Sequence, residues 1–183
     1  MLTLVIGGSA SGKSEYAERH VTALPGERIY IATMQPWDEE CLARIAKHQK
    51  ARAHRGFATI ECYRDLDRLR VPEGSNVLLE CLSNLLANEY FACPVPTDTE
   101  IGSASADVIE TTVARVMEGI RSLRAQCSHL TIVSNEIFSG GSDYEGDTLG
   151  YMKALGLINR ALAAEADRVV EVVCGLPDIL KGA

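Results

Sequence analysis

Eight residues near the amino end carry the strongest chemical signal in the chain. Gly7-Gly8-Ser9-Ala10-Ser11-Gly12-Lys13-Ser14 fits the pattern G-x-x-x-x-G-K-[ST]. Glycines let a backbone wrap closely enough for its N–H groups to face phosphate oxygens. A helix beginning at the same place adds partial positive charge. In such a loop Lys13 reaches the β- and γ-phosphates of a nucleotide, and the Ser14 hydroxyl is placed to ligate Mg²⁺. A flexible glycine–serine turn is the bland alternative. The context argues against it, because an apolar run precedes the motif and a stretch free of breakers follows it.

A magnesium site of this kind also calls for a carboxylate at the end of a neighbouring strand. Glu80 closes the apolar run Val77-Leu78-Leu79 and is the first candidate, with helix capping as its structural alternative. Glu136 is a second candidate, beside Asn135, and capping of its own loop is again the alternative.

Arg44, His48 and Arg52 fall at i, i+4 and i+8, so a helix there puts all three on one face. A histidine that attacks phosphorus must be neutral, and flanking guanidinium groups both lower its pKa and bind phosphate. Spacing alone favours a solvated basic face with an incidental histidine. His20, His54 and His129 have no comparable setting. Tyr30 and Trp37 offer rings for stacking, with core packing the simpler role for Tyr30. The six cysteines are scattered, with no C-x-x-C pair, which points to reduced thiols rather than a metal or disulfide frame.

The elements that must position these groups follow from apolar patterning and breakers. Strands are expected over 2–6, 28–33, 57–62, 76–80 and 130–134, with a last strand over 168–173 closed by Gly175 and Pro177. Helices are expected over 13–24, 39–50, 82–91, 107–125 and 148–164. The stretches 93–106 and 139–146, rich in Gly, Ser, Thr or Pro, read as loops. Strands alternating with helices imply crossovers and a mainly parallel, buried α/β sheet, with ligands beyond its carboxyl edge.

The chain has 183 residues, 46% hydrophobic and 23% charged, and is expected to form a single nucleotide-binding domain over 1–183. Its formal net charge of −7 disfavours a nucleic-acid binder, which needs surplus Lys and Arg to neutralise phosphates. No apolar run approaches the roughly 20 residues of a membrane span. The start turns glycine-rich too soon for a signal peptide, so a cytoplasmic protein is expected.

Together the motifs resemble the bifunctional adenosylcobinamide kinase / adenosylcobinamide-phosphate guanylyltransferase family of cobalamin biosynthesis. The likeness covers nearly the whole chain. It includes Gly7-Gly8, Tyr30-Ile31-Ala32-Thr33, Arg44-Ile45-x-x-His48-x-x-x-Arg52, Glu61 and Leu78-Leu79-Glu80-Cys81. It continues through Val133-Ser134-Asn135-Glu136, Gly156-x-x-Asn159, Ala166-Asp167-x-Val169 and Gly175-x-Pro177. Apart from the phosphate loop, order and spacing carry the specificity. The chain departs from the family pattern at Ala10, Ala53, Gly56 and Lys153.

The resemblance implies a RecA-like P-loop sheet flanked by helices and a homotrimer. It implies phosphoryl transfer from ATP or GTP to adenosylcobinamide, then GMP transfer from GTP to the product through a GMP-histidine intermediate. It assigns that histidine to His48, with Lys13 catalytic beside it. It assigns nucleotide contacts to Gly7, Gly8, Ser9, Ala10, Ser11, Gly12, Lys13, Ser14, Ala32, Thr33, Met34, Gln49, Lys50, Ala51, Arg52, Glu61 and Glu80, and Mg²⁺ to Ser14 and Glu80. Two other readings are compatible with a P-loop: a kinase with one small-molecule activity, and a nucleotide-dependent regulatory module.

Overall fold

A computed structural model describes residues 1–36, 55–92, 106–141 and 144–182. The expected helix over 39–50, with Arg44, His48 and Arg52, lies outside the described residues, as does most of the loop expected over 93–106.

Among the described residues seven strands form one sheet in the order β3-β2-β4-β5-β1-β6-β7. They are β1 (Leu2–Gly7), β2 (Arg28–Ala32), β3 (Phe57–Glu61), β4 (Asn76–Glu80), β5 (His129–Asn135), β6 (Arg168–Val173) and β7 (Leu176–Lys181). Among the same residues the helices are α1 (Lys13–Thr22), α2 (Leu82–Tyr90), α3 (Ala106–Gln126) and α4 (Gly146–Glu165). All strand pairs are parallel except β6 with β7. This is the mainly parallel α/β sheet that the strand–helix alternation predicts.

Strands β1, β4 and β5 are buried on both faces, which is why each is a nearly continuous apolar run. Alternate side chains feed two cores. Leu2, Leu4, Ile29, Ile31, Val77, Leu79, Leu130 and Ile132 pack under α2, α3 and α4. Val5, Tyr30, Leu78, Val133 and Val170 pack with Ala17 and Val21 of α1 on the other face. The sheet thus holds α1 on one face and the α2–α4 layer on the other.

One expectation is corrected. The sheet does not stop at β6: after a turn at Cys174-Gly175 the chain returns antiparallel as β7. Pro177 is compatible with a strand here because β7 is the sheet edge, where the missing N–H interrupts no inner ladder. Every residue of β7 is exposed, so its sequence lacks the buried apolar face that marks the others.

Candidate active site

The carboxyl ends of the parallel strands bring the chemistry to one edge. Gly7 pairs with Asn135, Glu80 with Val133, and Ala32 with both Glu80 and Glu61. One strand, β5, lies between the phosphate-loop strand and the Glu80 strand. At about 4.8 Å per strand, Glu80 sits about 10 Å along the edge from the loop, and Glu61 about 19 Å. The first span suits a hydrated cation between a carboxylate and bound phosphates. The second sets Glu61 beyond the phosphates of a nucleotide seated in the loop.

The loop is wound by two left-handed residues, Ala10 (φ 56°) and Gly12 (φ 92°). Gly12 immediately precedes α1, so the helix amino end opens on the loop. Lys13 is 8% exposed, and its Nζ donates to the Gly8 carbonyl at 3.0 Å. The same carbonyl accepts from the Ser11 N–H at 3.3 Å. The ammonium is thus drawn back over the loop, with two further protons for phosphate oxygens. Ser14 follows on the first turn of α1, half-buried.

Glu80 is half-buried at the end of β4 and accepts from the Tyr30 hydroxyl at 3.1 Å. Tyr30 therefore combines two roles: its ring meets Phe57 edge-on in the core, and its hydroxyl aims the carboxylate. Cys81 comes next, with Sγ 3.1 Å from the Ser83 Oγ. Burial pushes its thiol pKa up, with the Ser83 hydrogen bond and the nearby Lys13 ammonium pulling part of the way back. A thiol so held is neutral near pH 7 and no nucleophile.

Thr33 is fully buried, and its hydroxyl staples two strand ends together. Its Oγ1 donates to the Cys81 carbonyl at 2.8 Å and accepts from the Cys81 N–H at 2.8 Å. Its own carbonyl accepts from Asn88 Nδ2 at 2.8 Å. Thr33→Val is nearly isosteric but orphans the buried Cys81 N–H, while the Cys81 carbonyl keeps the Leu85 N–H at 3.2 Å. It is expected to lower stability by about 2 kcal/mol, read as a shift of the urea midpoint without change of slope.

The remaining expected positions are dispersed along the edge. Met34 is half-buried just past β2. Glu61 is exposed and accepts from the Tyr63 hydroxyl at 2.6 Å. Burial, then the Glu61 carboxylate, push the Tyr63 phenol up to about 12, so it stays a donor at neutral pH. Glu136 caps its own loop: its carboxylate accepts from the N–H groups of Phe138 and Ser139 and from the Ser139 hydroxyl. That occupies the second metal candidate with local bonds. His48, Gln49, Lys50, Ala51, Arg52 and Trp37 lie outside the described residues. His20 is placed away from this chemistry, stacked on Tyr16, and burial with Arg168 and His129 lowers its pKa.

Sequence reasoning missed a network behind the site. Asn135 Nδ2 donates to Ser83 Oγ at 2.6 Å, and the Tyr151 hydroxyl donates to the Ser83 carbonyl at 3.1 Å. These tie α4 and β5 to the segment after Glu80. Their partners are 52 and 68 residues apart, beyond any motif.

A wrapped glycine loop between β1 and α1, with lysine laid across it and a carboxylate two strands away, defines a P-loop nucleotide-binding protein. A family model described as cobinamide kinase / cobinamide phosphate guanyltransferase matches residues 3–180, and the chain belongs to that family. The bifunctional adenosylcobalamin biosynthesis protein CobU of Salmonella typhimurium is 34% identical over 185 residues, covering 96% of this chain and 97% of that one. Its namesake from Escherichia coli K12 is 31% identical over 183 residues, with the same coverage. The bifunctional protein CobP of Pseudomonas aeruginosa is 31% identical over 191 residues, covering 100% and 98%. A solved structure from Pyrococcus horikoshii OT3 aligns over 99% of this chain and 86% of its own, with TM-score 0.50 and 11% identity, which bears on the fold alone.

Proposed function

We propose that this chain performs both family reactions in adenosylcobalamin biosynthesis. In the first, the aminopropanol hydroxyl of adenosylcobinamide attacks the γ-phosphorus of ATP or GTP, and the nucleoside diphosphate leaves. In the second, the His48 imidazole attacks the α-phosphorus of GTP, and pyrophosphate leaves with the α–β bridging oxygen. An oxygen of adenosylcobinamide phosphate then displaces His48, giving adenosyl-GDP-cobinamide. The observation that carries the reading is the Lys13-covered loop aligned with Glu80 on one edge, in a chain whose relatives bear the bifunctional name over nearly their full length.

The donor set fits magnesium. Ser14 and Glu80 offer hard oxygen ligands, and the hydrogen bond from Tyr30 orients the carboxylate. When bound, the ion would supply positive charge that offsets the charge of the phosphates. The protein's own share is positioning and charge. Loop N–H groups and Lys13 hold the triphosphate, and Lys13 takes up negative charge as the leaving oxygens depart. Glu80→Gln keeps the shape and the bond from Tyr30 but removes the charge. It is expected to lower both rates by about 10²-fold and to raise the magnesium concentration for half-maximal rate. Normal magnesium dependence in that variant would move the ligand elsewhere.

Incubation with adenosylcobinamide, ATP, GTP and magnesium tests the whole reading by product chromatography. Adenosylcobinamide phosphate followed by adenosyl-GDP-cobinamide is the expected sequence. Phosphate ester alone identifies a single-activity kinase, and nucleotide hydrolysis alone a regulatory module. Assembly as a homotrimer and a cytoplasmic location belong to the same proposal.

A further inference from the structure

The β6–β7 turn lies directly against the phosphate loop. The Gly175 N–H donates to the Ser11 carbonyl at 2.8 Å. A Cβ placed on Gly12 would sit 3.1 Å from the Gly175 Cα, and one placed on Gly7 would sit 2.6 Å from the Val172 carbonyl oxygen. The end of β6 and its turn therefore pack on both ends of the loop at backbone distance.

The consequence follows from peptide geometry. A trans peptide is planar, with its C=O and N–H pointing in opposite directions. Fixing the Ser11 carbonyl toward Gly175 turns the N–H of the same peptide, that of Gly12, away from the turn. If that peptide flipped, a carbonyl would replace the N–H and repel phosphate. We propose that Gly175 is a positioning residue for the nucleotide site, holding the Ser11–Gly12 peptide in the sense that a P-loop needs. This inference rests on the nucleotide reading of the loop and assigns a part of it to a segment 163 residues further along the chain.

Gly175 has φ 78°, and a Cβ there meets nothing within 4 Å. Alanine at this position introduces backbone strain without a clash. Asparagine tolerates the left-handed region far better. Gly74 supplies the matched control. It has φ 77°, its added Cβ would come no closer than 3.7 Å to Ser128 Oγ, and it lies in the turn before β4, at the opposite edge of the sheet.

The test is binding of fluorescent GDP with magnesium to the four folded proteins at 25 °C, beside their thermal midpoints. Gly175→Ala is expected to weaken binding about five- to tenfold, and Gly175→Asn to recover most of it. Gly74→Ala should lower the midpoint comparably yet bind as wild type does. A merely structural Gly175 would shift the midpoint and leave affinity alone. Wild-type affinity in Gly175→Ala, or equal weakening in Gly74→Ala, overturns the inference. A wild-type protein that binds no nucleotide overturns the nucleotide reading and this inference together.

Discussion

Lys13→Ala is expected to lower both the phosphoryl and the guanylyl rates by about 10²–10³-fold, the usual cost of deleting one preorganised charged donor at a phosphate or oxyanion site. The structure says why the loss should be chemical rather than structural. Lys13 Nζ donates to the Gly8 carbonyl, and that carbonyl keeps the Ser11 N–H when the side chain is gone. The loop still wraps, so the thermal midpoint should move by only a few degrees while turnover collapses. Lys13→Arg should not restore activity, because the guanidinium is broad and planar where the lysine ends in a compact point charge beneath the Gly8 carbonyl. Rates measured separately on adenosylcobinamide and on adenosylcobinamide phosphate check the claim. A guanylyl rate that survives Lys13→Ala would place the triphosphate of the second reaction away from this loop.

The phosphate loop could be read from the chain because its physics is local: eight consecutive residues set the turn, the charge and the helix start. The inner strands could be read because burial on both faces demands unbroken apolar runs, as in Leu78-Leu79 and Ile132-Val133. The place of Glu80 at its strand end was legible for a related reason, since it is the first charge after such a run. What escaped is what long-range pairing decides. β7 has no buried face to advertise it, and Pro177 argues against a strand unless its edge position is known. Thr33 is an ordinary threonine until Cys81 arrives 48 residues later. Glu136 illustrates the reverse case. A carboxylate beyond a strand fits a metal ligand or a loop cap equally well by type, and only the three donors around it decide for the cap. Gly175 was visible as a breaker, but its proximity to Gly12 comes from β6 lying next to β1, which composition does not encode.

The second large effect concerns the histidine. His48→Ala is expected to abolish transfer of GMP, by about 10³-fold or more, while phosphorylation of adenosylcobinamide stays within about twofold of wild type. The asymmetry follows from the chemistry. The kinase step joins two bound substrates directly and needs no protein nucleophile, whereas the proposed guanylyl step holds GMP on the protein between departure of pyrophosphate and arrival of the acceptor. Intact-protein mass spectrometry after GTP and magnesium should show one added GMP on the wild type and none on the variant, and the adduct should be lost in acid, as a phosphorus–nitrogen bond is. The pH dependence has a fixed sign. Only the neutral imidazole has a lone pair to give, so adduct formation should fall as acid protonates the ring. An adduct that persists in His48→Ala would assign the nucleophile to another residue, and a kinase rate that falls equally would show that the histidine serves the shared nucleotide site rather than the covalent step.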